Sequence, residues 1–134
     1  MHRTTSQNGI TMKRDLRPVG FFYECFGGSS GPSLREAIRA TSHDNENEMA
    51  SYLDHGHLFA CIMGQARDIL STDHEIAGSG DCHILTDGVW AWPAFLSYYL
   101  RNYHIELPLE LWEQARLSAW MVPFDINLAE LSLD

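Results

Sequence analysis

The sequence His55-Gly56-His57, with Cys61 shortly after it and Cys82-His83 further along, offers imidazole and thiolate donors of the kind that hold a metal ion. Two alternating histidines on an extended segment can present both rings to one side, but a tetrahedral zinc site needs two further ligands at a recognisable spacing. The chain has neither CxxC nor HExxH, so His55 reads as a solvated turn residue and His57 as the start of a strand. A Cys/His/Asp nucleophile can be drawn from Cys25 or Cys61, but seven histidines and eighteen acids permit many such drawings. Neither thiol lies behind an expected helix N-terminus or in a basic setting that would depress its pKa. The loop Gly27-Gly28-Ser29-Ser30-Gly31 lacks both the Lys-Ser/Thr of a phosphate-binding loop and the GxGxxG order of a dinucleotide site. No catalytic residue, metal or cofactor is therefore expected, and the chain is read as one that is not an enzyme.

A second grouping is aromatic and acidic. Trp90-Ala91-Trp92-Pro93 is followed by Tyr98, Tyr99, Tyr103, Trp112 and Trp120, with Asp81, Asp87, Glu106, Glu110 and Glu113 interspersed. Alternation along a strand puts Trp90 and Trp92 on the same face. Two readings stay open at this level: both tryptophans pack beneath the next helix as core, or they join the acids in an anchored surface of the kind that carries binding hot spots.

The elements that must position these residues are set by local signals. Residues 1–16 form a polar arm, and residues 17–134 a single domain. Val19 to Phe26 reads as a first, central strand, closed by a glycine-rich loop. Ser33 is placed to cap a helix, with Glu36 three residues on, and this helix should reach about Ala40. Asp44 to Glu48 supplies acids for the first turn of a second helix with Met49, Tyr52 and Leu53 inward. Residues 58–63 read as a buried strand, and residues 65–70 as a helical turn. The Asp87-Gly88 pair between two apolar runs predicts a hairpin spanning residues 83–92. Pro93 suits the first turn of a core helix running to about His104, and Pro108 opens another with Leu111, Trp112 and Ala115 inward. The tail, residues 125–133, reads as a short amphipathic helix. The order implies an α+β fold, a small antiparallel or mixed sheet with helices packed on one face.

Composition bounds the rest. A chain of 134 residues with 45% apolar and 20% charged residues has the balance of one globular domain. No run approaches the length needed to span a bilayer, and no apolar leader follows the polar start, so a cytoplasmic protein is expected. Three cysteines without CxxC spacing read as reduced and structural. The net charge of −9 comes entirely from residues 68–134, which carry eleven acids against Arg101 and Arg116. Such a field repels nucleic acid and anionic membranes and draws in a basic partner.

Three stretches carry a resemblance: Arg17-Pro18-Val19-Gly20-Phe21-Phe22-Tyr23-Glu24, Pro32-Ser33-Leu34-Arg35-Glu36-Ala37-Ile38, and His83 to Pro93 continuing through Leu107-Pro108. Over residues 17–110 the chain resembles small bacterial immunity proteins of polymorphic and contact-dependent toxin systems. The resemblance implies a non-catalytic protein that binds and occludes a cognate toxin domain, here a basic one such as a nuclease. It carries over no residue roles. The competing expectation is a small-molecule-binding or regulatory domain with an aromatic pocket.

Overall fold

The computed structural model describes residues 13–26 and 31–133. Most of the N-terminal arm, and Gly27 to Ser30 of the glycine-rich loop, lie outside them. Six strands and five helices follow in the order β1 (Arg14–Asp15), β2 (Arg17–Pro18), α1 (Tyr23–Phe26), α2 (Leu34–Ala37), α3 (Glu46–Asp54), β3 (His57–Ala60), β4 (Ile84–Thr86), β5 (Trp90–Pro93), α4 (Leu96–Tyr103) and α5 (Leu109–Leu117), with a 3-10 turn at Leu128–Glu130 before β6 (Leu131–Ser132). The fold is α+β, with a mixed four-stranded sheet in the order β2-β5-β4-β3 and a separate parallel pair β1-β6.

β5 is the centre of the molecule. It pairs antiparallel with β4 (Leu85 opposite Trp92) and parallel with β2 (Arg17 opposite Trp90). Its alternating side chains are buried on both faces. Trp90 and Trp92 enter the main core, built with Leu53 of α3, Leu96, Tyr99 and Leu100 of α4, and Leu111 and Trp112 of α5. Ala91 points to the opposite face, into a second core with Leu16 and Leu131. The helices thus cover one face, and the chain's two end segments cover the other.

The hairpin forms where the Asp-Gly pair places it. Gly88 takes φ +96°, a region costly for other residues, while the Asp87 carboxylate accepts the amides of Val89 (2.9 Å) and Trp90 (2.7 Å). Gly56 is required by packing: a Cβ there would lie 2.7 Å from the Trp92 ring. Trp92 is anchored by its Nε1, which donates to the Leu53 carbonyl at 3.0 Å.

Several expectations are corrected. Val19 to Phe26 is not a strand. Gly20 turns the chain at φ +83°, with Leu96 so close that a Cβ would meet it at 2.7 Å, and α1 follows. β2 therefore ends at Pro18 and lies at the edge of the sheet. α2 stops at Ala37 because Ile38 is extended. Pro93 ends β5, and α4 starts at Leu96. β3 is the other edge strand, and Leu58, Cys61, Ile62 and Met63 are exposed. Residues 65–70 form no helical turn, since Arg67 bridges Ile76 instead. The tail is a 3-10 turn and a strand that pairs with Arg14–Asp15, so the domain starts before residue 17.

Two buried or capping carboxylates hold the loops to the helices. Asp68 is 1% exposed and accepts from the hydroxyls of Tyr103 (2.6 Å) and Tyr98 (2.7 Å) and the amides of Leu70 (2.8 Å) and Ser71 (3.2 Å), tying the segment after β3 to α4. Burial acts to raise its pKa, but these donors outweigh it and hold the carboxyl below its usual value. The Ser33 hydroxyl caps α2 by accepting from the Glu36 amide at 3.3 Å, as the sequence predicts. It is joined by Glu24 of α1, which accepts from the Leu34 amide (2.7 Å), the Arg35 amide (3.1 Å) and the Ser33 hydroxyl (2.8 Å).

Burial also acts to raise the Glu24 pKa, but these three donors outweigh it and hold it at about 2 against an ordinary 4.5. A carboxylate whose folded pKa is depressed contributes stability that is present above its unfolded pKa and is lost as pH falls through the folded one. Glu24→Gln should therefore cost about 1–2 kcal/mol at neutral pH, after allowance for solvent screening. In urea unfolding across pH, the gap between the two proteins should close between about 4.5 and 2. A gap independent of pH would mean that the carboxylate's charge contributes nothing.

Candidate functional site

The histidines that suggested metal chemistry are engaged locally, and the three cysteines are free thiols. His57 Nε2 donates to the Pro123 carbonyl (2.6 Å), His55 Nδ1 to the Ser51 carbonyl (2.7 Å), and His83 Nδ1 accepts from the Ile62 amide (3.0 Å). Among the described residues, no group of three or more His, Cys, Asp or Glu side chains converges as a metal site would require.

The structure divides the seven residues proposed for partner binding into two groups. Trp90 is 2% exposed, Trp92 0% and Asp87 2%, so these three belong to the interior and cannot touch a partner without unfolding the hairpin. Trp90 is covered by the Arg17 guanidinium, 4.1 Å above its ring. Asp87 is spent on Val89, Trp90, Gln114 (3.1 Å) and the Tyr52 hydroxyl (2.5 Å).

Asp81, Glu106, Glu110 and Glu113 are exposed. Asp81 stands apart, lining a cleft of about 550 Å³ with Asp54, His83 and Arg101. The three glutamates lie along or beside α5. Glu110 and Glu113 border a shallow groove of about 540 Å³ that follows α5 from Leu109 to Ser118, and Glu106 lines an adjoining cleft that shares Leu109. Two of these acids have basic neighbours, Glu106 with Arg39 (3.3 Å) and Glu113 with Arg116 (3.7 Å).

What the sequence reading missed is apolar. α5 buries Leu111, Trp112 and Ala115. That leaves Leu109 (69% exposed) and Leu117 (88%) on the outer side, where the spacing of eight residues brings them back to one face. The chain then turns sharply through Ala119 (φ 57°) and Trp120 (φ 63°), both left-handed. The Trp120 amide donates to the Ala115 carbonyl (2.8 Å), and its ring packs edge-on against Trp112 at 6.3 Å. The bond from His57 to Pro123 holds the far side of the turn. Met121 (70% exposed) lies between these fixed points and Phe124 (89%) just beyond them.

Exposed large side chains gathered on one rigid segment mark an interaction site more clearly than scattered ones. Two consecutive left-handed non-glycine residues cost free energy that the native contacts must offset, a pattern common at functional segments. The α5 groove therefore has exposed apolar side chains, Leu109 and Leu117, with an acidic border, and the turn that follows adds two more exposed apolar side chains on a pinned backbone. Leu109 and Leu117 fall outside the inward set of α5, and that mismatch is the signal that a closer reading of the sequence would have used.

Among the described residues no helix is long and apolar enough to cross a membrane. No protein-family model matches the chain, and neither a curated protein nor a solved structure shows significant similarity to it.

Proposed function

We propose that the chain acts by binding, as an immunity-type protein that docks on a basic domain of a protein toxin and occludes it without chemistry. The observation that carries this reading is the acid-bordered groove of α5, together with the exposed apolar side chains of the turn that follows it. Leu117, Met121 and Phe124 supply apolar anchors, and Glu106, Glu110 and Glu113 supply a rim that attracts positive charge and speeds encounter. The surplus of acids in residues 68–134 extends the attraction to longer range. Cytoplasmic residence and indifference to nucleic acids and membranes belong to the same proposal.

The test is titration of the purified chain against the protein encoded immediately upstream of its gene, by calorimetry and surface plasmon resonance at several salt concentrations. Nanomolar affinity is expected, with an association rate that falls by about tenfold or more as salt screens the acids. Leu117→Asp combined with Phe124→Asp should weaken binding by roughly 100-fold or more, as loss of two central anchors does. The melting temperature should not change, because both side chains lie almost wholly in solvent. Absence of binding, or binding indifferent to salt and to this variant, overturns the reading.

A further inference from the structure

We propose that a second site on this chain, independent of the α5 surface, binds a medium-chain carboxylate, with its tail in the cavity between α1, the segment after β3 and α4, and its headgroup at Arg67. The cavity holds about 460 Å³, within the range of small-ligand sites. It is also where an aromatic pocket does exist in this fold, although the hairpin tryptophans take no part in it. Phe95, just before α4, and Tyr99 of α4 form its wall and meet edge to face at 5.9 Å, and Phe26 of α1 lies 6.0 Å from Phe95. The rim carries large apolar side chains that the fold leaves in water: Met63 is 97% exposed, Phe26 50% and Ile62 41%. A long flexible thioether at the mouth and two thiols, Cys25 and Cys82, in the lining suit an adaptable apolar occupant. Burial pushes the Cys25 thiol up to about 11, so it stays neutral and apolar in character.

The polar groups of the cavity select the headgroup. The Tyr99 hydroxyl is spent, accepting from the Ile69 amide and donating to the Arg67 carbonyl, both at 3.2 Å. Arg67 donates to the His74 carbonyl (3.0 Å) and to Gln65 Oε1 (2.7 Å), which leaves part of its five-donor fork unspent. Among the described residues, no carboxylate lines this cavity and none lies within ion-pair reach of Arg67. In a chain with twice as many acids as bases, Arg67 is, among the described residues, the one charged residue in the lining of this apolar pocket. An alkyl chain ending in a carboxylate uses both features. An alkyl alcohol uses only the first, and an alkyl ammonium is repelled by the second.

Calorimetric titration of the full chain with octanoate, 1-octanol and octylammonium tests this. Octanoate should bind at one per chain, 1-octanol about tenfold or more weakly, as loss of a charge-assisted pair implies, and octylammonium weakest of all. Arg67→Met should reduce octanoate to the affinity of 1-octanol, and Arg67→Lys should restore part of the difference. Met63→Asp, at a side chain too exposed to affect folding, should weaken octanoate about tenfold by placing charge on the apolar rim. Ile38→Ser, at an exposed apolar position away from the cavity, should change nothing. Equal affinity for the three probes, no saturable binding of octanoate, or an Arg67→Met variant that keeps the wild-type order overturns the proposal.

Discussion

Asp87→Ala is expected to destabilise the fold by about 3–5 kcal/mol, the range for removing one member of a buried hydrogen-bonded charge network. The carboxylate is 2% exposed and accepts from four donors on three elements: the Val89 and Trp90 amides in the hairpin, the Tyr52 hydroxyl of α3 and the Gln114 amide of α5. Alanine leaves all four donors without their acceptor, two of them backbone amides that close the turn. Burial and the bond to Asp87 together push the Tyr52 phenol far above its ordinary range, so it remains a donor at any pH the protein survives. Asp87→Asn keeps the shape and one acceptor oxygen, and should cost less than alanine. Urea unfolding of the three proteins reads this directly. A stable Asp87→Ala variant that had lost partner affinity would return the residue to the interface that the sequence suggested for it.

Trp92→Ala should cost a similar amount, about 3–5 kcal/mol, through lost burial and the cavity it leaves. Trp92 is fully buried, stacks at 6.2 Å on Tyr52, and fills the space that Gly56 keeps open. Trp92→Phe separates the two contributions. It keeps most of the apolar contact but removes the Nε1 donor from the Leu53 carbonyl, for an expected loss of about 1–2 kcal/mol. Guanidinium midpoints and slopes measure both. A loss for phenylalanine as large as that for alanine would show that the hydrogen bond to α3, not packing, fixes the sheet beneath the helix.

The parts of this fold legible in the sequence are those whose signals are local. Ser33 caps α2, Met49, Tyr52 and Leu53 form the inner stripe of α3, Asp87-Gly88 makes the hairpin, and Leu111, Trp112 and Ala115 turn inward on α5. Residues 19–26 and 125–133 were misread because their conformations are decided from a distance. The run from Val19 to Phe26 has strand composition, yet Leu96 crowds Gly20, and Glu24 is drawn off to cap the helix that follows the next loop. The tail becomes a strand only because Arg14–Asp15 is there to pair with it.

The candidate site was half legible for a related reason. Acids usually stay in water, and Glu106, Glu110 and Glu113 are exposed as expected of them, whereas Asp87 is drawn inside by its four donors. Tryptophans serve cores and interfaces alike, and alternation alone does not say which face of β5 is buried. In the structure both faces are. The exposed Leu117, Met121 and Phe124 escaped notice because an apolar residue is first taken for core; Leu117 lies off the inward set of α5, and Met121 and Phe124 follow the left-handed turn at Ala119 and Trp120.

The parallel pair β1-β6 joins residues separated by nearly the whole chain, Arg14 with Leu131 and Asp15 with Ser132. Closing so long a loop costs entropy that is recovered only after the intervening chain is in place, so this pair is expected to form late on folding. With only two residues on each side, it is also expected to open by local fluctuation, without global unfolding. Each opening uncovers Ala91 and the β5 surface beneath Leu131, and presents a strand edge to other chains. Amide exchange at Leu16, whose N–H is held by the Ser132 carbonyl at 2.7 Å, is the readout of how often it opens.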